Sequence, residues 1–478
     1  MVRQAYLWLA IPVLIWFFGW LRLWIALPAA CCVIAVIVRI RMHTPAVKGL
    51  KSVRVDRRYL AGMGILALFV LLSGIGGYMY QSYGDHSYRN AVFNTLVANS
   101  WPVDEGTGSH SILCYYFGFW LPAALTAKLA GIEAGWLVQA LYALWALVIV
   151  FNFVYARFGG KAIIALPLIF VFFCGWEVPG WIICHLAQGD TITLSELIRS
   201  QKDLMGELYA GNAPYADFFY IYNQSCTALV GCALLYFTRD DAGASVFAWS
   251  LMFIGCVFPC IALAPVMLRQ TIRKWRQMIT WSNAAGLLVF AIVGVFYLAS
   301  PRAMKETDLF PDGSAAHYLT LAIFYLILIA GIYIPFIFKA IRYDATFWIL
   351  FATMVLAPFA SFAGTADMGW RMGIPFIFYL CYKLMVQFID YRQSPQTLKT
   401  ALLCFVLAVG ALSPAFHYAD VVRQTIRVHS DPAGFPPGGL SLRRDDRNAN
   451  FHNPECTPCY SNFFADGDNL FTRYLMKQ

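Results

Sequence analysis

The sequence predicts an all-α polytopic membrane protein: a helical bundle of about 13 transmembrane helices with outer-face loops and a small external C-terminal tail. Composition is the first reason. Of 478 residues, 60% are hydrophobic and 13% charged, and the mean hydropathy is +0.61. An ordinary soluble domain carries about 25% charged residues, so this chain has too few to coat a water-exposed surface of its size. The second is that apolar runs of about 17 to 25 residues, the length that crosses a ~30 Å hydrocarbon core as helix, recur along most of the chain. The third is that basic residues collect in alternate loops, which is how orientation is encoded in a multi-pass protein.

In order, the expected spans are 5–19, 22–38, 59–80, 134–155, 161–175, 222–238, 243–256, 258–268, 281–299, 318–338, 345–361, 372–388 and 400–416. No small-x-small cleavage site follows the opening MVRQAYLWLAIPVLIWFFGW, so it reads as a retained first span. The short runs 243–256 and 258–268 meet at Phe258-Pro259 and read as a broken or shallow pair, because Pro removes a helix hydrogen bond and neither run crosses alone. Segment 112–131 reads as a helix along the outer interface, given its aromatic cluster, a mid-helix Pro122 and Lys128. Were it to cross, the basic RFGGK turn at 157–161 would change sides.

Segment 39–58 holds seven basic residues and one acid, and with 156–161, 239–242, 269–278, 339–344 and 389–399 it sums to +13. The opposite segments 77–133, 176–221, 300–317, 362–371 and 417–478 sum to −7. The basic side is expected in the cytoplasm, with the N-terminus there and the C-terminus outside. The overall +9 is thus distributed among loops and is not the concentrated face that nucleic acid requires. No GxxxxGK[ST] phosphate loop and no GxGxxG after a strand occurs, which removes support for an ATP-driven machine or a Rossmann enzyme, and no internal repeat marks a secondary transporter. Three blocks follow: 1–58, two spans and a basic cytoplasmic loop; 59–400, the transmembrane core with external loops 77–133 and 176–221; and 401–478, a last span and external tail.

Candidate chemistry lies on the outer side. Asp85 and His86 stand just beyond the third span, where an unpaired carboxylate is costly to keep; alternatively they are a polar helix flank. Residues 85–98 have a helical apolar period through Tyr88, Val92, Phe93 and Leu96. Asp104-Glu105 precedes Gly106 and reads as a solvated turn. Glu177 directly follows the fifth span, so two carboxylates share one surface, a hard-oxygen set suited to Mg²⁺, Mn²⁺ or Ca²⁺, with His86 as a further ligand. Asn223 and Gln224 open the sixth span; amides there suit a sugar or head group, or cap the helix. Arg371 follows Asp367 by four, either a phosphate fork or an i,i+4 ion pair. Of 13 cysteines, only Cys456 and Cys459, in ECTPC, lie outside apolar surroundings; a structural disulfide is the favoured reading.

The stretches YGDHSYRNAVFNTLVANSWPV, LCYYFGFWLPAALTAKLAG, FFYIYNQ, DMGWRMGIPFIF and DNLFTRYL resemble an uncharacterised bacterial group within the GT-C superfamily of membrane glycosyltransferases, over residues 59 to about 400. The resemblance implies a multi-pass inner-membrane enzyme moving a sugar from a polyprenyl-phosphate donor to a glycan or lipid acceptor at the outer face, with a divalent cation as cofactor. By position it makes Asp85 the general base or metal ligand and Glu177 the second acid. Arg371, with Arg89 or Lys128, becomes the counter-charge to the departing phosphate. In many relatives an aromatic or second acid follows the Asp, whereas here it is His86. The rival expectation is a non-catalytic transporter or flippase of a lipid-linked glycan, and a structural scaffold is a third.

Overall fold

The computed structural model describes residues 1–42, 50–81, 85–104, 112–193, 213–298, 323, 326–359, 367–393, 396–430, 464–465 and 467–477, with the backbone alone at a few helix positions, Asp85 and Asp367 among them. Nineteen α-helices are described: α1 Val2–Trp20, α2 Leu23–Met42, α3 Arg57–Leu72, α4 Asp85–Ala98, α5 Leu121–Ala130, α6 Ile132–Arg157, α7 Ala165–Phe172, α8 Glu177–Gln188, α9 Pro214–Tyr220, α10 Tyr222–Phe237, α11 Ser245–Met252, α12 Val257–Met278, α13 Trp281–Leu298, α14 Ile334–Ile341, α15 Ala345–Leu356, α16 Asp367–Met372, α17 Ile374–Gln393, α18 Thr397–Gly410 and α19 Leu412–Ser430. Ile112–Leu113 (β1) and Phe464–Ala465 (β2) form a two-residue antiparallel ladder.

Among the described residues, six helical stretches are long and apolar enough to cross a membrane: Val2–Trp20, Leu23–Ile40, Ile132–Arg157, Ala165–Ala187, Trp281–Leu298 and Met368–Gln393. The pair Thr397–Gly410 and Leu412–Val428, bent by 41°, makes a seventh if counted as one span. The protein is therefore a helical, membrane-embedded chain. The expected total of 13 exceeds these because several apolar runs fold as short helices, 16 residues in α3 and α10, eight in α11 and 12 in α15, and because 318–325 of the expected span 318–338 lies, apart from Ile323, outside the described residues.

Aromatic interlocking holds the bundle together. Trp8 of α1 stacks on Tyr142 of α6 with centroids 4.4 Å apart, each donating to the other's backbone carbonyl at 3.1 and 2.6 Å. Each buried polar tip thus finds a partner while its ring fills the interhelical space. Small residues bring backbones together elsewhere: a Cβ at Gly286 of α13 would lie 2.6 Å from backbone atoms of Phe247 in α11, a contact that only glycine permits.

Four local expectations shift. The break between the short pair falls at residues 253–256, ahead of Phe258-Pro259, and Pro259 sits in the first turn of α12, where its missing N–H is tolerated. Segment 112–131 is α-helical only over α5, preceded by a 3-10 turn at Gly118–Trp120, with Pro122 at the start of α5 instead of mid-helix. At ten residues α5 is about 15 Å long, half a bilayer core. Residues 417–430, expected as external tail, continue α19, because Ser413, His417, Tyr418 and Val421 recur at helical spacing and are buried. Chain-terminal residues 471–477 dock on the α1–α2 turn, where Arg22 donates to the carbonyls of Arg473 and Met476 and Phe471 packs between Trp16 and Phe296. Cys456 and Cys459 lie outside the described residues.

The basic segments meet at one end of the bundle. Lys51 and Arg54 pair by backbone with Ala156 and Gly160, and Lys274 and Thr280 reach the 239–243 turn. The polar helix starts described next lie toward the other end.

Candidate functional site

The site is organised by α9, seven residues that sequence periodicity is too short to identify. Pro214 opens it at a position where no helix N–H is needed. Its side chains then reach three separate elements. Tyr215 donates its hydroxyl to Glu177 Oε2 at 3.0 Å and Ser413 donates to the same carboxylate oxygen at 2.7 Å, which brings the two hydroxyl oxygens to 2.8 Å of each other. Phe219 presents to His417 of α19 at 4.4 Å, edge to face. The carbonyl of Tyr220, at the end of α9, accepts from Arg89 Nε and Nη2 at 3.1 and 2.8 Å.

From Arg89 the network continues across the loop before α5. Its Nη1 donates to Tyr115 at 3.0 Å; the Tyr115 ring lies 3.8 Å from that of Tyr116; and the Tyr116 hydroxyl accepts from Arg371 Nη1. The Arg371 guanidinium sits 4.9 Å over the Tyr116 ring and 5.6 Å over Phe258, between two π faces. Asn223 Nδ2 closes the set with a 3.5 Å contact to the Tyr116 carbonyl. Glu177, Arg89 and Arg371 are 1%, 4% and 4% exposed, so each charge is held inside the protein by directed donors, acceptors or rings. Glu177 also heads α8, where unpaired amides and the helix dipole favour a carboxylate.

Around this frame lie buried polar atoms with no hydrogen-bond partner among the described residues: Asp217 Oδ1, Asn223 Oδ1, His417 Nε2 and both amide atoms of Gln224. Leaving one such group unpaired costs about 1–3 kcal/mol, so a concentration of them marks a place kept for something other than stability. Burial and the nearby Arg89 charge lower the His86 pKa to about 3, with the Ser73 and Phe219 backbone pulling weakly the other way. Its ring, stacked 5.7 Å from Tyr222, is neutral at physiological pH. Burial raises the Asp217 pKa well above the ordinary carboxylate value.

Seven of the eight residues singled out from sequence share this end of the bundle: Asp85 and His86 at the start of α4, Arg89 one turn on, Glu177, Asn223 with Gln224 at the start of α10, and Arg371. Lys128 stands apart. Its Nζ donates to the carbonyls of Val97 and Asn99 at 3.0 and 2.5 Å, capping the far end of α4. Fourteen residues of helix put that end about 20 Å from Asp85. Tyr215, Asp217, Ser413, His417 and Tyr116 were not foreseen as site residues. The one available signal was Asp217 in APYADFFYIY, an acid among five aromatics and therefore costly to bury.

For a divalent cation, Asp85, His86 and Glu177 were the expected ligands. Among the described residues no three His, Cys, Asp or Glu side chains converge as such an ion requires, and the Asp85 side chain is outside them.

Comparison with known proteins gives no family, relative or structure to lean on. No family model, curated protein or solved structure matches the chain.

Proposed function

We propose that the protein is a membrane glycosyltransferase that moves a sugar from a polyprenyl-phosphate donor to a glycan or lipid acceptor, with its basic end in the cytoplasm and the α4–α9–α10 site toward the outer face of a bacterial inner membrane. In this reading the shorter apolar helices complete the bundle of about 13 crossings. The observation that carries it is the pairing of buried carboxylate and buried guanidinium within one network: Glu177, held by Tyr215 and Ser413, and Arg89 and Arg371, held through Tyr115 and Tyr116.

Glycosyl transfer asks for those two charges. A carboxylate takes the proton from the acceptor hydroxyl as its oxygen attacks the anomeric carbon; the bond from that carbon to the phosphate oxygen breaks, and its electron pair leaves with the phosphate. Attack from the face opposite the leaving group inverts the centre. Glu177 is the base in this scheme, with Tyr215 and Ser413 fixing its direction and Asp85 as the second acid at the neighbouring helix start. Arg371 and Arg89 balance the phosphate as negative charge develops on it. Asn223, Gln224 and the neutral His86 are donors and acceptors suited to sugar hydroxyls.

The test uses purified protein in lipid with a labelled polyprenyl-phosphate sugar extract. Glu177→Gln and Asp85→Asn are expected to lower product formation by at least ~100-fold, the usual size of a lost acid–base group. Full activity in both variants sinks the site. If no polyprenyl-linked sugar turns over while the labelled lipid crosses the bilayer of reconstituted vesicles, the transporter reading replaces this one.

A further inference from the structure

At the basic end of the bundle, remote from the residues above, α12 leans over a cavity of about 410 Å³, a size typical of small-ligand sites. Its floor is apolar, built from Leu235, Leu263, Val266, Leu350 and Phe378, and its rim carries Arg239, Arg269, Arg273 and Lys274 against Asp240 and Asp344. Several of these charges are committed. Asp344 pairs with Lys383 at 2.9 Å, accepts from Tyr379 at 2.7 Å and caps α15 through Thr346 and Phe347. Lys274 donates to the carbonyls of Arg239 and Asp240 at 2.9 and 3.1 Å, pinning the turn. The Arg239 guanidinium lies 4.5 Å over the Tyr236 ring.

Arg269 and Arg273 remain, without hydrogen-bond or ion-pair partner among the described residues, four positions apart and so on one helical face. Like charges at that spacing repel by a few tenths of a kcal/mol, a penalty an anion between them removes. The adjoining face of the same helix exposes Leu268 and Ile272, at 62% and 69%, and past a kink at Lys274 the chain exposes Trp275 and, just beyond the helix end, Ile279, at 55% and 75%. A helix with an apolar stripe beside a cationic one, and Trp between, lies at the boundary of head groups and acyl chains.

We propose that this cavity binds the phosphate of an anionic phospholipid, with Arg269 and Arg273 as the phosphate-holding residues and the apolar floor receiving the adjoining lipid carbons. A guanidinium fork matches a phosphate oxygen pair, and two forks a turn apart hold it from one side. The apolar floor decides between lipid and free phosphate, since an aqueous ion has no use for it. This site does not depend on the glycosyltransferase reading.

The test is thermal stability of the full chain in nanodiscs of neutral lipid with and without phosphatidylglycerol, together with titration by short-chain phosphatidylglycerol in detergent. Wild type is expected to melt higher with the anionic lipid. Arg269→Gln with Arg273→Gln is expected to lose that rise and bind the short-chain lipid roughly 30-fold more weakly, about fivefold per cation removed. Arg276→Gln with Lys399→Gln removes equal charge outside the cavity and should keep both. Equal losses in the two double variants mean a diffuse field and overturn the site, as does a cavity variant that binds normally. A full shift from inorganic phosphate alone, with nothing added by phosphatidylglycerol, overturns the lipid as its source. Should the double variant fail to fold, the exposed Arg273→Gln alone is expected to lose about fivefold, and unchanged binding there overturns the site.

Discussion

Arg89 and Arg273 present the same guanidinium in opposite settings. Arg89, at the start of α4, is 4% exposed, and gives three hydrogen bonds of 2.8 to 3.1 Å to the Tyr220 carbonyl and the Tyr115 hydroxyl. Arg273, on α12, is exposed at the rim of a cavity and gives none among the described residues. A charge taken out of water is tolerated only where donors and acceptors replace its hydration, so Arg89 is built into the fold and Arg273 is added to its surface. One end of the bundle therefore fixes its charges in a buried network, and the other leaves them on the surface for a ligand to order.

The sharpest way to break that contrast is to remove the charge at each end. Arg89→Met is expected to destabilise by about 3 kcal/mol, since the buried Tyr115 hydroxyl and the half-buried Tyr220 carbonyl lose a charged donor. Arg273→Met should stay within about 0.5 kcal/mol in neutral lipid, as surface changes do. Chemical denaturation in one detergent reads both. Similar values for the two variants would remove the distinction.

The pH dependence of stability reports on His86. His86 is neutral in the folded protein down to about pH 3, whereas an ordinary imidazole takes up a proton near 6.5. Between those values the unfolded chain binds a proton that the folded chain refuses, so acid favours unfolding. The contribution is absent above pH 6.5 and grows as pH falls, by about 1.4 kcal/mol per unit, reaching about 2 kcal/mol at pH 5. His86→Asn cannot titrate and should shed that part of the acid sensitivity, its melting temperature gaining on wild type from pH 7 to pH 5. Parallel pH profiles would mean that the ring is protonated where it sits.

How far the sequence reaches follows from what each residue depends on. The helix at 85–98 was readable because Val92, Phe93 and Leu96 recur at helical spacing, a local signal, and those side chains are buried. Glu177, at the start of α8, and Arg371, just ahead of α17, were readable because a charge beside a long apolar run is conspicuous. Their partners were not. Ser413 meets Glu177 across 236 positions and Tyr116 meets Arg371 across 255, and no local pattern encodes either meeting. α9 was missed for a different reason: its seven residues make under two turns, too few for a period to register, so Asp217 could be noticed only by asking what an acid does among aromatics.

Lys128 gives the smallest effect and the finest division between a structural cation and a binding one. The family resemblance implies a place for it with the phosphate-binding residues, yet its ammonium satisfies the Val97 and Asn99 carbonyls and lies 5.3 Å over the Trp101 ring. A cation at a helix C-terminus stabilises by about 0.3–1 kcal/mol, and an exposed cation–π contact adds up to about 1. Lys128→Met should therefore lower stability by about 1 kcal/mol, and Lys128→Arg should recover part of it. Because α4 carries Asp85 and His86 at its other end, fraying the cap would reach the site only through the helix, as a modest fall in kcat with KM for the lipid-linked sugar unchanged. A donor-phosphate contact predicts the reverse: a many-fold rise in KM at unchanged stability. That split, measured on one variant, decides whether the positive charge at this end of α4 belongs to the helix or to the substrate.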